Sequence, residues 1–180
     1  MTTVHYFPKG RGWLSPKRST KGVRCGFTLV EIMVVVVIIS LLAMMSIPSF
    51  QRIQRRSRSS AIASDFRTFA TVFNTYAQEH GTWPADTDPG VVPEGLEGQL
   101  NSTAWARISP MGGRYNWEQD QLHAGVRYKA AIAISATSDA PMRVDADQLR
   151  DIDVVIDDGI LTTGSFRTGA NGDPIFIIER

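Results

Sequence analysis

A single acidic residue interrupts the most apolar stretch of the chain. Between Phe27 and Ile47 the only charged side chain is Glu31. At about 1.5 Å per residue, a helix from Phe27 to Pro48 would be roughly 30 Å long, which matches the hydrocarbon thickness of a bilayer. A carboxylate inside such a segment costs roughly 2.5–3.5 kcal/mol on insertion scales. Because this cost is large, the sequence indicates that Glu31 has a function there.

The chemistry that fits Glu31 is a charge pair with a new chain end. Glu31 lies four residues after Phe27, which follows Gly26. If the chain were cut between Gly26 and Phe27, the free α-amine would be a cation about one helical turn from the carboxylate. The two charges could then neutralise each other, within one chain or between neighbours, once the helices leave lipid and pack together. If such a cut occurs, the spacing would therefore allow the new amine to pair with the lone acid.

These residues also carry a family resemblance. The run Gly26-Phe27-Thr28-Leu29-Val30-Glu31, after a basic leader and before an apolar helix, resembles the prepilin processing motif of type IV pilins and type II secretion pseudopilins. The resemblance implies that a membrane aspartyl peptidase cuts after Gly26 and methylates the new N-terminal Phe27. It also implies that Glu31 pairs with the Phe27 amine of an adjacent subunit and sets its register in a filament.

The residues before the motif form a strongly basic leader. Residues 1–26 contain six of the 19 Lys and Arg residues and no acid. We expect this segment to be an unstructured cytoplasmic leader that is removed, and its charge to place the C-terminal part outside the membrane. The remaining chain would hold 13 Lys and Arg against 18 Asp and Glu. An acidic exported chain does not suggest nucleic-acid binding.

The chain has one cysteine, Cys25, and it lies in the leader. The processed chain could therefore form no internal disulfide. Many type IV pilins close a C-terminal loop with a disulfide, whereas pseudopilins often use metal or plain packing there. Within the resemblance, this difference favours a type II secretion pseudopilin over a type IV pilus or DNA-uptake pilin.

Two other interpretations of the apolar segment stay open. An ordinary secretory signal would be cut near Ala43–Ser46, although Glu31 within the segment and the weak small-residue site count against it. A plain anchor would be uncleaved and would hold an envelope binding domain or hydrolase at the membrane. Such an anchor needs no acid and would tolerate the loss of Glu31.

Helical spacing of apolar residues continues beyond the membrane segment. The apolar positions recur at steps of four and three: Ile62, Phe66, Phe69, Phe73 and Tyr76. This stripe predicts an amphipathic helix. One long helix is therefore expected from near Thr28 to near Glu79, with a transmembrane and assembly half at 27–50, an amphipathic half at 51–80, and Gly81 as its stop.

Two features mark the junction between the halves of this helix. Pro48 is expected to end or kink the apolar part, because it lacks a backbone donor. Four arginines follow: Arg52, Arg55, Arg56 and Arg58. They would either reach lipid headgroups at the outer interface or pair with acids of a neighbouring subunit along a filament.

Residues 81–180 are predicted to form a globular head, so the fold class is α+β, a long helix packed on a small antiparallel sheet in a pilin-like lollipop. The turn Gly81-Thr82-Trp83-Pro84 is similar to the Gly-x-Tyr-Pro turn of pseudopilins, and its aromatic ring should plug the core. A loop is predicted over 85–112, with a short helix around Leu96–Trp105. Two strands should follow at Gly113–Trp117 and Val126–Ser135, separated by a turn at Glu118–Gly125. The predicted chain ends with a helix at Arg143–Asp157 and strands at Leu161–Arg167 and Pro174–Glu179.

Acidic residues crowd one short region of the head: Asp145, Asp147, Asp151, Asp153, Asp157 and Asp158. Their spacing does not match an EF-hand loop, and on a helix they would spread around the surface and could not all converge. A solvated acidic helix is therefore favoured. Resemblance to calcium-binding major pseudopilins leaves Asp157 and Asp158, at the helix end, as the calcium candidates.

No pattern of catalytic residues accompanies the motif. The histidines His5, His80 and His123 lack metal-ligand spacing, and the sequence has neither a Gly-x-Ser-x-Gly elbow nor a glycine-rich phosphate loop. The sequence thus predicts a structural subunit and not an enzyme. Its expected partners are a prepilin peptidase and methyltransferase, other copies and pilin-like subunits, an inner-membrane assembly platform and the membrane. We expect a single-pass inner-membrane location with a periplasmic head.

Overall fold

The computed structural model describes residues 26–123, 125–169 and 171–180. The chain divides into two compact units, of which the first ends at Leu42 and the second is Ala43–Arg180. The elements are α1 (Leu29–His80), α2 (Ser102–Ala106), β1 (Arg114–His123), β2 (Val126–Ser135), α3 (Ala146–Ile156), β3 (Phe166–Thr168) and β4 (Pro174–Glu179).

The strands form one four-stranded sheet in the order β1-β2-β4-β3, and every neighbouring pair is antiparallel. The second half of α1 packs on one face of this sheet. The predicted α+β class, a long N-terminal helix on a small antiparallel sheet, is therefore confirmed. The α1 limits differ from the expected Thr28 and Glu79 by one residue at each end.

The aromatic stripe of α1 forms the centre of the core. Ile62, Phe66 and Phe73 are completely buried and Phe69 is 2 % exposed, as residues on one helical face should be. The Phe73 ring stacks on Trp117 of β1, with centroids 3.9 Å apart and planes 6° from parallel. These contacts confirm the predicted face and make α1 the support for the sheet.

The far face of the sheet is also buried. Ala131 and Ala133 of β2 have almost no exposure and cluster with Ile175 of β4. The chain before β4 approaches this face so closely that a Cβ atom at Gly169 would lie 2.4 Å from Ile175 Cδ1. Since the neighbouring Ala130 and Ile132 on the other face are also buried, β2 is covered on both sides at these positions.

Several predicted boundaries were wrong. The turn expected at Glu118–Gly125 is mostly strand, because β1 continues to His123 and pairs with β2 along its length. Strand pairing uses backbone groups, and an edge strand tolerates polar side chains, so polarity alone misplaced this turn. The short helix lies later than expected, since Asn101 caps α2 by accepting a hydrogen bond from the Ala104 amide.

The helix α3 and the strand β3 are shorter than predicted. Asp145 caps α3 through the Asp147 amide, so the helix begins at Ala146 and not at Arg143. The segment expected to open β3 instead forms a turn, in which the Thr163 amide donates to the Ile160 carbonyl. The strands β2 and β4 have their predicted limits.

The expected role of Trp83 as a core plug is confirmed in part. Its ring is half-buried and packs against Trp117, with centroids 5.6 Å apart. Its Nε1 donates a hydrogen bond of 2.6 Å to Glu179 at the end of β4. Trp83 therefore closes one edge of the core and also ties the end of α1 to the last strand.

Replacing Phe73 by Ala should lower the free energy of unfolding by about 3–5 kcal/mol, because it removes a buried ring and leaves a cavity against Trp117. Denaturant titration of the full chain in detergent, followed by tryptophan fluorescence, measures this loss. The matched control is Phe50→Ala on the same helix, where the ring is 61 % exposed and little change is expected. Equal losses in both variants would contradict the proposed core.

Candidate functional site

Thr28 caps the first turn of α1. Its Oγ1 accepts a hydrogen bond of 3.2 Å from the Glu31 amide, and its carbonyl accepts one of 3.3 Å from the Ile32 amide. A threonine followed three residues later by glutamate is the capping-box pattern for the start of a helix. The helix thus begins just after Gly26 and Phe27, which lie outside it.

The Gly26–Phe27 bond is open to another molecule. The Phe27 side chain is 77 % exposed, and among the described residues a Cβ atom added at Gly26 would meet nothing within 4 Å. Exposed backbone outside regular structure is where proteolysis concentrates, because its amide and carbonyl groups are free to bind an enzyme. The geometry at this bond suits the cleavage that the sequence predicts.

Glu31 lies in the first turn of α1, where the partial positive charge of the helix end stabilises a carboxylate. Within the described part of the chain, no cation pairs with it. Its carboxylate is therefore available to a cation from elsewhere, such as the α-amine that cleavage would create at Phe27.

Apolar side chains on all sides of α1 are exposed from its start to Ile53. They are Leu29, Val30, Ile32–Ile39, Leu41, Leu42, Met44, Met45, Ile47, Phe50 and Ile53. By length and composition, α1 is able to cross a membrane. The helix does not end at Pro48, since it continues on both sides of this residue; the expected kink stays a prediction.

One of the four arginines after Pro48 pairs within the chain. The Arg55 Nε donates to Asp151 Oδ2 at 2.8 Å and its Nη1 to Asp147 Oδ2 at 3.1 Å. Neither predicted interpretation anticipated this pairing, which joins α3 to α1. Arg67 of α1 makes a further contact with α3 by donating a hydrogen bond to the Val155 carbonyl.

Three acids meet at the C-terminal end of α3. Carboxylate oxygens of Asp153, Asp157 and Asp158 all lie within 4.8 Å of one another. The six acids of this region do not form one group, but these three meet where the chain turns back after α3 through Gly159, whose φ is +80°. Asp158 is held there by the Thr163 hydroxyl at 2.6 Å.

Asp153 is the unusual member of this group. It is completely buried, and neither carboxylate oxygen has a hydrogen-bond partner among the described residues. Burial, reinforced by the charges of Asp158 and Asp157, raises the pKa of Asp153 to about 6. The C-terminal end of a helix also disfavours negative charge.

Such a group fits a hard divalent cation. Ca²⁺ prefers carboxylate and carbonyl oxygens, and a cation would relieve the repulsion among the three acids. Because Ca²⁺ takes six to eight oxygens, backbone carbonyls and water would have to complete its coordination. The sequence prediction named Asp157 and Asp158 but missed Asp153, although its spacing four residues before Asp157 places both on one helical face.

Another part of the core is held by a polar network that the sequence did not reveal. The Tyr115 hydroxyl donates to Asp65 Oδ2 at 2.5 Å, and Arg107 also donates to that oxygen. Burial and the neighbouring carboxylate raise the pKa of Tyr115, so its hydroxyl stays protonated as the donor. The network positions β1 on α1 and has no evident catalytic geometry.

Comparison with known proteins identifies the N-terminal segment. The family model described as the prokaryotic N-terminal methylation motif matches residues 22–47. Among solved structures, the major type IV pilin PilA1 from Clostridium difficile is similar at 15 % identity, with a TM-score of 0.46, over 70 % of this chain and 97 % of that one. The search of curated proteins found no similar sequence.

Proposed function

We propose that the chain is a membrane-anchored structural subunit of the type IV pilin-like class and, within this class, a pseudopilin of a type II secretion-like system. The observation that carries the proposal is the N-terminal geometry. An exposed Gly26–Phe27 bond precedes a capped helix whose first turn holds Glu31. Cleavage there would place the new amine close to the one acid of the apolar segment.

Processing would take two steps, both at the N terminus. A prepilin peptidase adds water across the Gly26–Phe27 peptide bond, which leaves a carboxylate on the leader and an amine on Phe27. A methyltransferase then transfers a methyl group from a donor to this amine, which loses a proton. The methylated amine remains a cation at neutral pH and can still pair with Glu31.

Assembly would use the exposed apolar surface of α1 twice. In the membrane this surface contacts lipid, and in a filament the same side chains pack against the helices of neighbouring subunits. Glu31 is costly in either apolar setting unless it is paired. Pairing with the Phe27 amine of a neighbour would therefore stabilise one axial register of the helices relative to the others.

The choice of subtype rests on two features of the sequence. The processed chain lacks a cysteine, and Trp83-Pro84 follows α1 as in the pseudopilin turn. The alternative, a type IV pilus or DNA-uptake pilin, shares the same N-terminal motif. A gene neighbourhood with a secretion ATPase and an outer-membrane secretin favours the pseudopilin, whereas pilus-retraction genes favour the pilin. The basic leader supports a cytoplasmic N terminus and a periplasmic head.

We also propose that the group formed by Asp153, Asp157 and Asp158 binds Ca²⁺. The support is the completely buried Asp153, whose carboxylate is otherwise without a partner, beside two further carboxylates. The cation would join the end of α3 to the turn before β3. Its role would be structural, replacing the disulfide that the processed chain is unable to form.

The mass and N-terminal residue of the protein extracted from membranes test the processing step. A chain that begins at Phe27 and is heavier by one methyl group is the expected result. A start near Ser46 would identify an ordinary secreted protein, and an intact Met1 a plain anchor. Both of those results would contradict the filament proposal.

Replacing Glu31 by Leu should leave cleavage largely intact and abolish incorporation into filaments, because only assembly needs the carboxylate. Sheared filaments and membrane fractions, probed for this chain, separate the two effects. Ser40→Leu is the matched control, since it also puts leucine in place of a polar residue of the apolar segment. The Ser40 hydroxyl bonds only to its own helix, at the Val36 carbonyl, so assembly should persist. Normal assembly of the Glu31→Leu variant would disprove the assigned role.

Adding Ca²⁺ in place of EDTA should raise the melting temperature of the full chain in detergent. A concentration a hundredfold above the Kd stabilises the folded state by about 2.7 kcal/mol. Asp153→Asn should remove this response, whereas Glu97→Gln, at an exposed acid outside the group, should keep it. A response that is absent in the wild type, or equally strong in Asp153→Asn, would exclude the calcium site.

A further inference from the structure

We propose that two oppositely charged surfaces of the second unit dock against each other between copies of this chain. The basic surface consists of Arg52, Arg56 and Arg58 near the start of that unit. The acidic surface consists of Glu79, Asp88 and Glu94. The inference rests on the proposed function, because it requires copies that lie side by side, and it assigns the contact that their heads would make.

The basic surface is exposed and uncompensated. Within the described residues, Arg52, Arg56 and Arg58 have no acid partner, although Arg55 beside them has two. These arginines line an open groove of about 650 Å³ in which Asp145 and Asp147 are the only acids. Since Asp147 already pairs with Arg55, the groove keeps an excess of positive charge.

A second groove extends the basic surface. It has a volume of about 260 Å³ and no acid lines it. Its lining residues are Arg58, Arg143, Gln148, Pro110, Met111, Gly112 and Pro141. Gln148 is 7 % exposed, and its amide Nε2 donor has no partner in the described chain. Unpaired guanidinium and amide donors match the acceptors of a carboxylate.

The acidic surface lies around the other end of α1. From Arg67 to Arg107 the sequence has five carboxylates and no intervening Lys or Arg. Asp86 and Glu97 accept hydrogen bonds from backbone amides of their own chain. The other three, which form the acidic surface defined above, are exposed, and within the described chain they have neither an ion pair nor a hydrogen bond through their side chains.

The segment that carries these acids is held firmly against the core. The Gly90 amide donates to the Tyr115 carbonyl at 2.7 Å, and Trp105 Nε1 donates to the Val91 carbonyl at 2.8 Å. Gly95 lies against the Tyr76 ring of α1. Asp88 and Glu94 are therefore presented at a defined place and not on a free loop.

The two surfaces are too far apart to neutralise each other within one molecule. Arg52 and Glu79 are separated by 27 residues of α1, which at 1.5 Å per residue is about 40 Å. This distance is several times the Debye length of about 8 Å at physiological ionic strength. The two surfaces therefore do not neutralise each other within one molecule, and each could pair with a charge from another molecule.

A second copy is the occupant that both surfaces fit at once. If Glu31 pairs with the neighbouring Phe27 amine, all copies in a filament point the same way and are displaced along its axis. Copies displaced by about 40 Å, the distance given by the helical rise, would bring the basic surface of one onto the acidic surface of another. Exposed ion pairs contribute little affinity each, so this contact would chiefly select the axial offset.

Disulfide trapping in the full chain tests the contact. Cys25 is the only cysteine and leaves with the leader, so introduced cysteines have no other partner in processed chains. One chain carries Arg56→Cys, a co-expressed chain carries Glu94→Cys, and a disulfide-linked dimer of the two is expected in filaments. Arg56→Cys with Arg127→Cys, at an exposed position on β2, is the matched control and should give no dimer.

Charge reversal distinguishes whether the basic surface contacts another copy of the chain or lipid headgroups. Arg56→Glu and Glu94→Arg should each reduce the amount of filament several-fold, and the two together in one chain should restore it, because the pair reforms between copies. If the arginines serve only lipid headgroups, Glu94→Arg has no effect and no rescue occurs, which would overturn the inference.

The outcomes also separate this inference from the function on which it rests. Filaments that form from processed subunits without the disulfide dimer would overturn the docking of the two surfaces and leave the filament function standing. A wild-type chain that keeps its leader and forms no filament would overturn both.

Discussion

The packing of one helical face on the sheet is the constraint on which the second unit depends. The side chains from Ile62 to Phe73 form a single buried stripe on α1, and β1, β2 and β4 all supply residues to the core around it. Their aromatic rings meet edge to face or stacked, as Phe66 does with Tyr115 and Phe73 with Trp117. Because this stripe faces the sheet, the remaining faces of α1 are free for other contacts.

Polar contacts refine this arrangement without creating it. Arg55 and Arg67 hold α3 on α1, and Asp65 holds Tyr115 and thus β1. Since each of these pairs is partly exposed, it contributes less to stability than the buried stripe does. These contacts fix the orientation of the elements, because they give some acids of α3 and some arginines of α1 defined partners. The arginines that have no such partner are left exposed to other molecules.

A filament subunit must be stable both as a separate membrane protein and as part of an assembly. In this chain the two requirements use different residues of α1. The buried stripe keeps the head folded, while the exposed apolar segment and Glu31 would serve membrane and assembly in the proposed function. The Thr28 cap leaves Gly26 and Phe27 outside the helix, where the proposed processing would act.

Local sequence was sufficient for everything that depends on spacing along the chain. The apolar segment, the stripe of α1 and the limits of β2 and β4 followed from periodicity, since the interacting groups are near in sequence. The roles of Gly26, Phe27 and Glu31 rest on a short motif and stay predictions. Spacing along the chain was not sufficient for two boundaries. The predicted α3 was too long and a turn was predicted inside β1, because a capping residue and a strand partner decided those limits.

Only the tertiary structure decided which distant residues meet. Arg55 and Asp151 are 96 residues apart, so no local pattern could pair them. The burial of Asp153 likewise depends on how α3 lies against the rest of the head, and it changed an apparently solvated acid into a candidate ligand. The sequence by itself determined the processing motif and the helix that follows it. The tertiary structure decided which charges are paired and which remain for a partner, because pairing depends on distance in space and not on order along the chain.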